Sequence, residues 1–199
     1  MMNYLTNPKL LNDSMNHISE TVLINGVPQQ AVITTAYLGM EENRHISSLQ
    51  PFKRGDLVEH RKHTYLVNEE VKNKRHNKYR ATMTSCNYYF TVRDLIERID
   101  TGEKDTYGRP IYKYIYGEPY NIHGVMKEWD RKLDQAFAIN MMQVTFFIDV
   151  QDNAINREQF KVNNIYDIKG VNMEVKLQEL SNEGIIGVLF IKTGSSAPY

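Results

Sequence analysis

The segment that most constrains this chain runs from Pro51 to Met83, "PFKRGDLVEHRKHTYLVNEEVKNKRHNKYRATM", where apolar residues come in runs too short for the face of a helix. Leu57-Val58 and Tyr65-Leu66-Val67 flank the polar "EHRKHT", and "NEEVKNKRHNK" leads into a third run, "YRATMTSCNYYF". A strand sends alternate side chains to opposite faces, so a three-stranded meander accounts for this pattern without any ligand. Its nine Lys or Arg against four acidic residues between Phe52 and Arg80 sit mostly at two tips, "HRKH" and "KNKRHNK". Exposed tips are commonly charged to stay solvated; contact with phosphate or an acidic surface is the functional alternative.

Similar punctuation recurs elsewhere. Asn25-Gly26 lies between the β-branched runs of "TVLINGVPQQAVITT", and that dipeptide accepts the positive φ values of a tight hairpin turn. "KDTYGRPIYKYIYGEPYNIHGVMKEW" alternates aromatic and β-branched residues between turns at Asp105–Pro110 and Gly117–Pro119. Ala136–Val150 is the most apolar stretch and reads as a buried strand, and "FKVNNIYDIKGVNMEVKLQELSNEGIIGVLFIKT" reads as strand, turn, strand, turn, strand. Tyr37–Leu49 is polar and unpatterned, which predicts a loop.

Two helices are expected. Asn7 and Pro8 suit a helix start, followed by Leu11, Met15 and Ile18 on one face. In "TVRDLIERIDTG", Thr91 and Asp94 resemble a capping box, Leu95, Ile96 and Ile99 form a stripe, and Gly102 supplies a stop. The chain is accordingly mainly β with a few short helices, as one or two small β-barrel or β-sandwich units with extended hairpin arms. Its divisions are an N-terminal helix (1–20), a first β unit (21–100) containing a helix at 91–101, an aromatic β arm or linker (101–135), a second β unit (136–193) and a flexible tail (194–199).

The two β regions echo one another. At a displacement of 108 residues Phe52-Lys53 meets Phe160-Lys161, Gly55-Asp56 meets Asn163-Asn164, Leu57 meets Ile165 and Val67 meets Val175; beyond one gap "KYRATM" falls opposite "GIIGVLF". One unit used twice explains this, and so does the chance likeness of two meanders of equal length.

Catalytic and metal-binding patterns are weak. His60 and His63 bracket a turn with no third ligand at usual spacing and read as solvated turn residues. Cys86 lies in the apolar "TSCNYYF" and reads as a structural thiol, and one cysteine closes no intrachain disulfide. No GxGxxG or GxxxxGK[ST] loop occurs. Twenty-four acidic residues balance 24 basic ones, so no long-range field draws the chain to nucleic acid or membrane, and no run of about 18 apolar residues predicts a span. We expect no enzyme activity, no cofactor, no metal and no membrane partner.

The segments "TVLINGVPQQAVIT", "FKRGDLVEHRKHTYLV" with "KYRATMTSCNY", "DTYGRPIYKYIYG" and "FKVNNIYDIKGVNMEV…GIIGVLFIK" resemble minor structural proteins encoded beside the head and tail genes of tailed bacteriophages of low-GC Gram-positive hosts. The resemblance implies a neck or tail ring component (head–tail joining, stopper or tail completion) that assembles in the host cytoplasm, resides in the virion and surrounds the DNA channel. Its expected partners are copies of itself, other neck and tail proteins and, without base reading, packaged DNA. Arg61, Lys62, Lys72, Lys74 and Arg75 are candidates for DNA or partner contact; Leu11, Met15, Ile18, Tyr107, Tyr112, Tyr114 and Tyr116 are candidates for contacts between subunits. A monomeric nucleic-acid-binding β-barrel is the alternative, and an enzyme a more distant one.

Overall fold

Asn25 and Gly26 take φ of 50° and 78° and fold strand β1 (Glu20–Ile24) back on β2 (Val27–Leu38), the turn that the dipeptide implies. The computed structural model describes residues 8–38, 42–74, 78–128 and 145–194. Helix α1 (Pro8–Ile18) precedes β1 and buries Met15; its expected cap, Asn7, lies outside the described residues.

The first sheet continues through β3 (Glu42–Ser48), β4 (Leu57–His60), β5 (His63–Val67), β6 (Lys72–Lys74) and β7 (Lys78–Ser85). Its order is β3-β2-β1-β4-β5-β7, and a further pairing of β3 with β7 closes these six strands into a barrel, with β6 alongside β7. Val22, Ile24, Ala31, Ile46, Val58, Tyr65, Val67 and Met83 fill it. Each apolar side chain so buried contributes roughly 1.5–3 kcal/mol, which favours closure over an open sheet with two exposed edges.

The expected loop at 37–49 is therefore wrong in part. Residues 42–48 form a strand paired on both edges, with β2 (Ile33 opposite Ile46) and with β7 (Ile46 opposite Ala81). Its sequence, ENRHISS, has little strand preference of its own; two neighbouring ladders impose it.

The second sheet has the order β13-β14-β15-β12-β11-β8, made of β8 (Tyr88–Val92), β11 (Tyr120–Glu128), β12 (Thr145–Gln151), β13 (Ile165–Ile168), β14 (Val171–Glu179) and β15 (Ile185–Lys192). A short helix α2 (Ala154–Gln159), capped by the Asn153 side chain, follows β12. Phe190, buried in this sheet's core, meets the rings of Phe160 and Tyr166 edge to face.

The echo at 108 residues is reproduced in backbone hydrogen bonds. Gly55 N–H donates to Val67 O, Val67 N–H to Asp56 O and Asp56 N–H to Lys53 O; Asn163, Val175 and Asn164 repeat these bonds to Val175, Asn164 and Lys161. Strand β4 pairs with β5 as Leu57–Leu66 to His60–His63, and β13 with β14 as Ile165–Glu174 to Ile168–Val171, each pair displaced by the same 108. The tips agree too: Arg61-Lys62 and Lys169-Gly170 all have positive φ. Ile46 pairs with Ala81 and Ile148 with Val188, so β3–β7 corresponds to β12–β15, and β2–β3 to β11–β12. One six-stranded plan is used twice, closed in the first copy and open among the described residues in the second.

The copies touch through glycine. A Cβ on Gly55 would lie 2.9 Å from Gly184 Cα and one on Gly184 would lie 2.8 Å from the Arg54 carbonyl carbon, with the facing oxygens nearer still. Arg54 Nε donates to Glu183 O at 2.7 Å, and the Gln151 amide donates to the Asn25 side chain at 2.8 Å.

The helix expected at 91–101 does not form. Thr91 lies in β8 and donates to the Asn121 side chain, while β9 (Leu95–Lys104) pairs with β10 (Pro110–Tyr116) as a two-stranded sheet. Gly102, at φ 73°, sits inside β9 instead of ending a helix. The run PIYKYIY commits β10 to extended backbone, and the ladder it offers outweighs the weak helical preference of Leu95–Ile99. Residues Tyr89–Ile122 form a small unit distinct from the rest of the chain. Of the expected strand at 136–150, Thr145–Val150 is strand and 136–144 lies outside the described residues, as do Arg75 and residues 195–199 of the expected tail.

Candidate functional site

Where the first copy joins β1 to β2 by two residues, the second separates β8 from β11 by residues 93–119, which carry the β9–β10 hairpin. Leu95, Ile96, Ile99, Tyr107, Ile111, Tyr114 and Ile115 are exposed there, and Tyr107 is 83% accessible. With Tyr89, the small unit holds eight of the thirteen large exposed apolar residues described. The register places Ile99 opposite Lys113 and Glu97 opposite Ile115 on one face, and Arg98 opposite Tyr114 and Asp100 opposite Tyr112 on the other. Both faces thus mix apolar and charged groups, which is not the composition of a core. A lone two-stranded hairpin has only marginal stability in water.

Of the aromatic candidates, Tyr107 and Tyr114 are exposed and Tyr112 and Tyr116 are half-buried. The Arg98 guanidinium lies 3.5 Å from the Tyr112 ring centroid, holding that ring by a cation–π contact. In α1, Met15 is buried and Ile18 exposed, while the side chain of Leu11 lies outside those described.

The basic candidates divide by location. Arg61 and Lys62 are both exposed at the β4–β5 tip with φ of 48° and 69°, a left-handed pair formed without glycine. Arg61 is engaged, its guanidinium donating to Glu20 Oε2 at 3.1 Å. Lys72 is exposed in β6, and the register puts it opposite Arg80, with Lys74 opposite Lys78. The Lys74 side chain lies outside those described.

The reading of both histidines as solvated holds for His63 and fails for His60. His60 is 6% accessible, and its Nε2–H donates to Glu20 Oε1 at 2.7 Å. Strand alternation carries the signal: Val58 points into the barrel, so the residue two further on does as well. Partial burial opposes charge on Glu20, but hydrogen bonds from His60 and Arg61 outweigh it and lower its pKa. A second anchored carboxylate, Glu42, accepts from Arg44 and from the buried Tyr65 hydroxyl; its pKa is lowered, chiefly by the Arg44 bond.

Cys86 is half-buried against Leu66, Val125 and Ile185, and desolvation pushes its thiol up to about 12, which leaves almost no thiolate near neutrality. Among the described residues no three His, Cys, Asp or Glu side chains converge as a metal site, and no helix is long and apolar enough to cross a membrane.

Residues 3–85, less than half of the chain, match the family model of the YomX N-terminal domain. Its boundary falls at Ser85, the last residue of β7, so the matched span contains α1 and the whole closed barrel. No curated protein and no solved structure matches the chain.

Proposed function

We propose that this protein is a virion structural component, a neck or tail ring protein that acts by assembling with copies of itself around the DNA channel. The observation that carries the reading is the β9–β10 hairpin, whose apolar side chains on both faces are left to solvent by the chain's own fold. Both of its outer strand edges end the two-stranded sheet, so a neighbour's strand can add by main-chain hydrogen bonds. Heterologous contacts of this kind close into rings when the rotation between copies permits. The phage-related match to residues 3–85 agrees with a virion location.

Sedimentation velocity and native mass spectrometry of the full chain test this. A closed oligomer is expected, lost in a variant with Ile96, Ile99, Tyr114 and Ile115 changed to Ser while the barrel's melting is unchanged. A monomer at every concentration, or an oligomer indifferent to those substitutions, would overturn it.

A further inference from the structure

Like charges directly opposite one another across an antiparallel ladder repel, and sheets ordinarily avoid them. The β6–β7 ladder has two such pairs in succession, Lys72 opposite Arg80 and Lys74 opposite Lys78. Alternation fixes where the described members point. Tyr79 and Val71 pack on the barrel core, so Lys72, Lys78 and Arg80, one residue out of step with them, lie on the outer face.

Neither Lys72, Lys78 nor Arg80 forms a salt bridge among the described residues. Glu69, beside Lys72 and Arg80, accepts from the Thr82 hydroxyl at 2.7 Å. There Glu69, His45, Thr82, Lys72 and Arg80 line a hollow of about 170 Å³.

We infer that the outer face of β6–β7 binds the phosphate backbone of nucleic acid. Alternate residues on a strand stand about 6.6–6.8 Å apart, so β7 presents Lys78 and Arg80 at that spacing, with Lys72 beside Arg80 on β6. A repeating polyanion complements repeating cations, and each neutralised phosphate releases counterions, offsetting the repulsion stored in the free protein. An acidic polypeptide is the poorer fit, because the strip offers it no large apolar side chain as an anchor. This rests on the DNA-channel part of the function proposed above and narrows the contact from both basic tips to the ladder, since Arg61 at the other tip is already engaged with Glu20.

The test is fluorescence anisotropy of a labelled random-sequence duplex titrated with the full chain at several salt concentrations, with polyglutamate as competitor. The expected result is sequence-independent binding that weakens as salt rises. Lys72→Glu with Lys78→Glu should lower the slope of log affinity against log salt by about 0.9 for each phosphate that is no longer neutralised. The same variant should melt no lower than the parent, since each change replaces a like-charge pair by an opposite one. Lys169→Glu with Lys192→Glu, equal in net charge but elsewhere, should bind as the parent does. Equal weakening in that second variant, no binding at low salt, or polyglutamate displacing duplex at equal charge would each overturn the inference. Sedimentation of the same samples separates the two readings: rings without binding refute only the ladder, and binding by a monomer refutes only the ring.

Discussion

Gly184→Ala should be among the most damaging single-methyl additions in this chain. Its φ of 84° already disfavours any side chain, a cost of roughly 1–2 kcal/mol. That cost is shared by Gly170→Ala, at φ 81° in the β13–β14 turn, where a Cβ meets nothing within 4 Å. At Gly184 the new methyl also runs into backbone, with the Arg54 carbonyl carbon 2.8 Å away and its oxygen closer. Backbone cannot rotate aside, so the two loops must separate. Separation stretches the bond from Asp152 N–H to Gly184 O (2.9 Å) and the one from Arg54 Nε to Glu183 O (2.7 Å). Losing a neutral and a charge-assisted bond costs about 2–4 kcal/mol beyond the φ term. For a chain of this length each kcal/mol moves the midpoint by about 2–4 °C, so Gly184→Ala should melt roughly 5–15 °C below Gly170→Ala. Differential scanning calorimetry of the two variants measures the gap. Equal melting temperatures would refute the claim that this glycine pair joins the two copies of the strand plan.

Other consequences follow from the same geometry. His60→Ala should cost about 1–3 kcal/mol in urea unfolding through lost packing and the lost Glu20 bond, whereas the exposed His63→Ala should stay within about 0.5 kcal/mol. Glu20, Glu42 and Asp152, the last accepting from the Arg157 guanidinium at 2.6 Å, have carboxyl pKa values lowered by these partners, so their contribution is present above the ordinary values of 4.5 and 3.8 and fades as pH falls through the lower folded ones. The triple variant Glu20→Gln, Glu42→Gln, Asp152→Asn should accordingly lose less stability than the parent between neutral pH and pH 3, measured by thermal melts in a buffer series. Because burial pushes its thiol up to about 12, Cys86 should react with Ellman's reagent at pH 8 roughly tenfold or more slower than a free thiol; rapid stoichiometric release of thionitrobenzoate would contradict that environment.

How much of this is legible in the residues depends on how local the cause is. Asn25-Gly26 and the recurring turns can be read because a two-residue turn is decided by the φ values its own residues tolerate. The strand pattern from Leu57 to Val67, and its echo from Ile165 to Val175, can be read because alternation belongs to the strand itself. His60 is misjudged when the turn beside it is weighed above the parity set by Val58. The segment 91–101 is misjudged because its apolar spacing suits a helical stripe and a hairpin face alike, and only the partner strand Pro110–Tyr116 decides between them.

The sequence by itself determined that the chain is built of short strands, where most of its turns lie and that two stretches share one pattern, since each follows from the conformational limits of neighbouring residues. Tertiary structure decided that Glu42–Ser48 is a strand, that β3 meets β7 to close the first barrel, and that Lys72 faces Arg80 across a ladder. Those are pairings between residues distant along the chain, whose free energy exists only once both partners are in place.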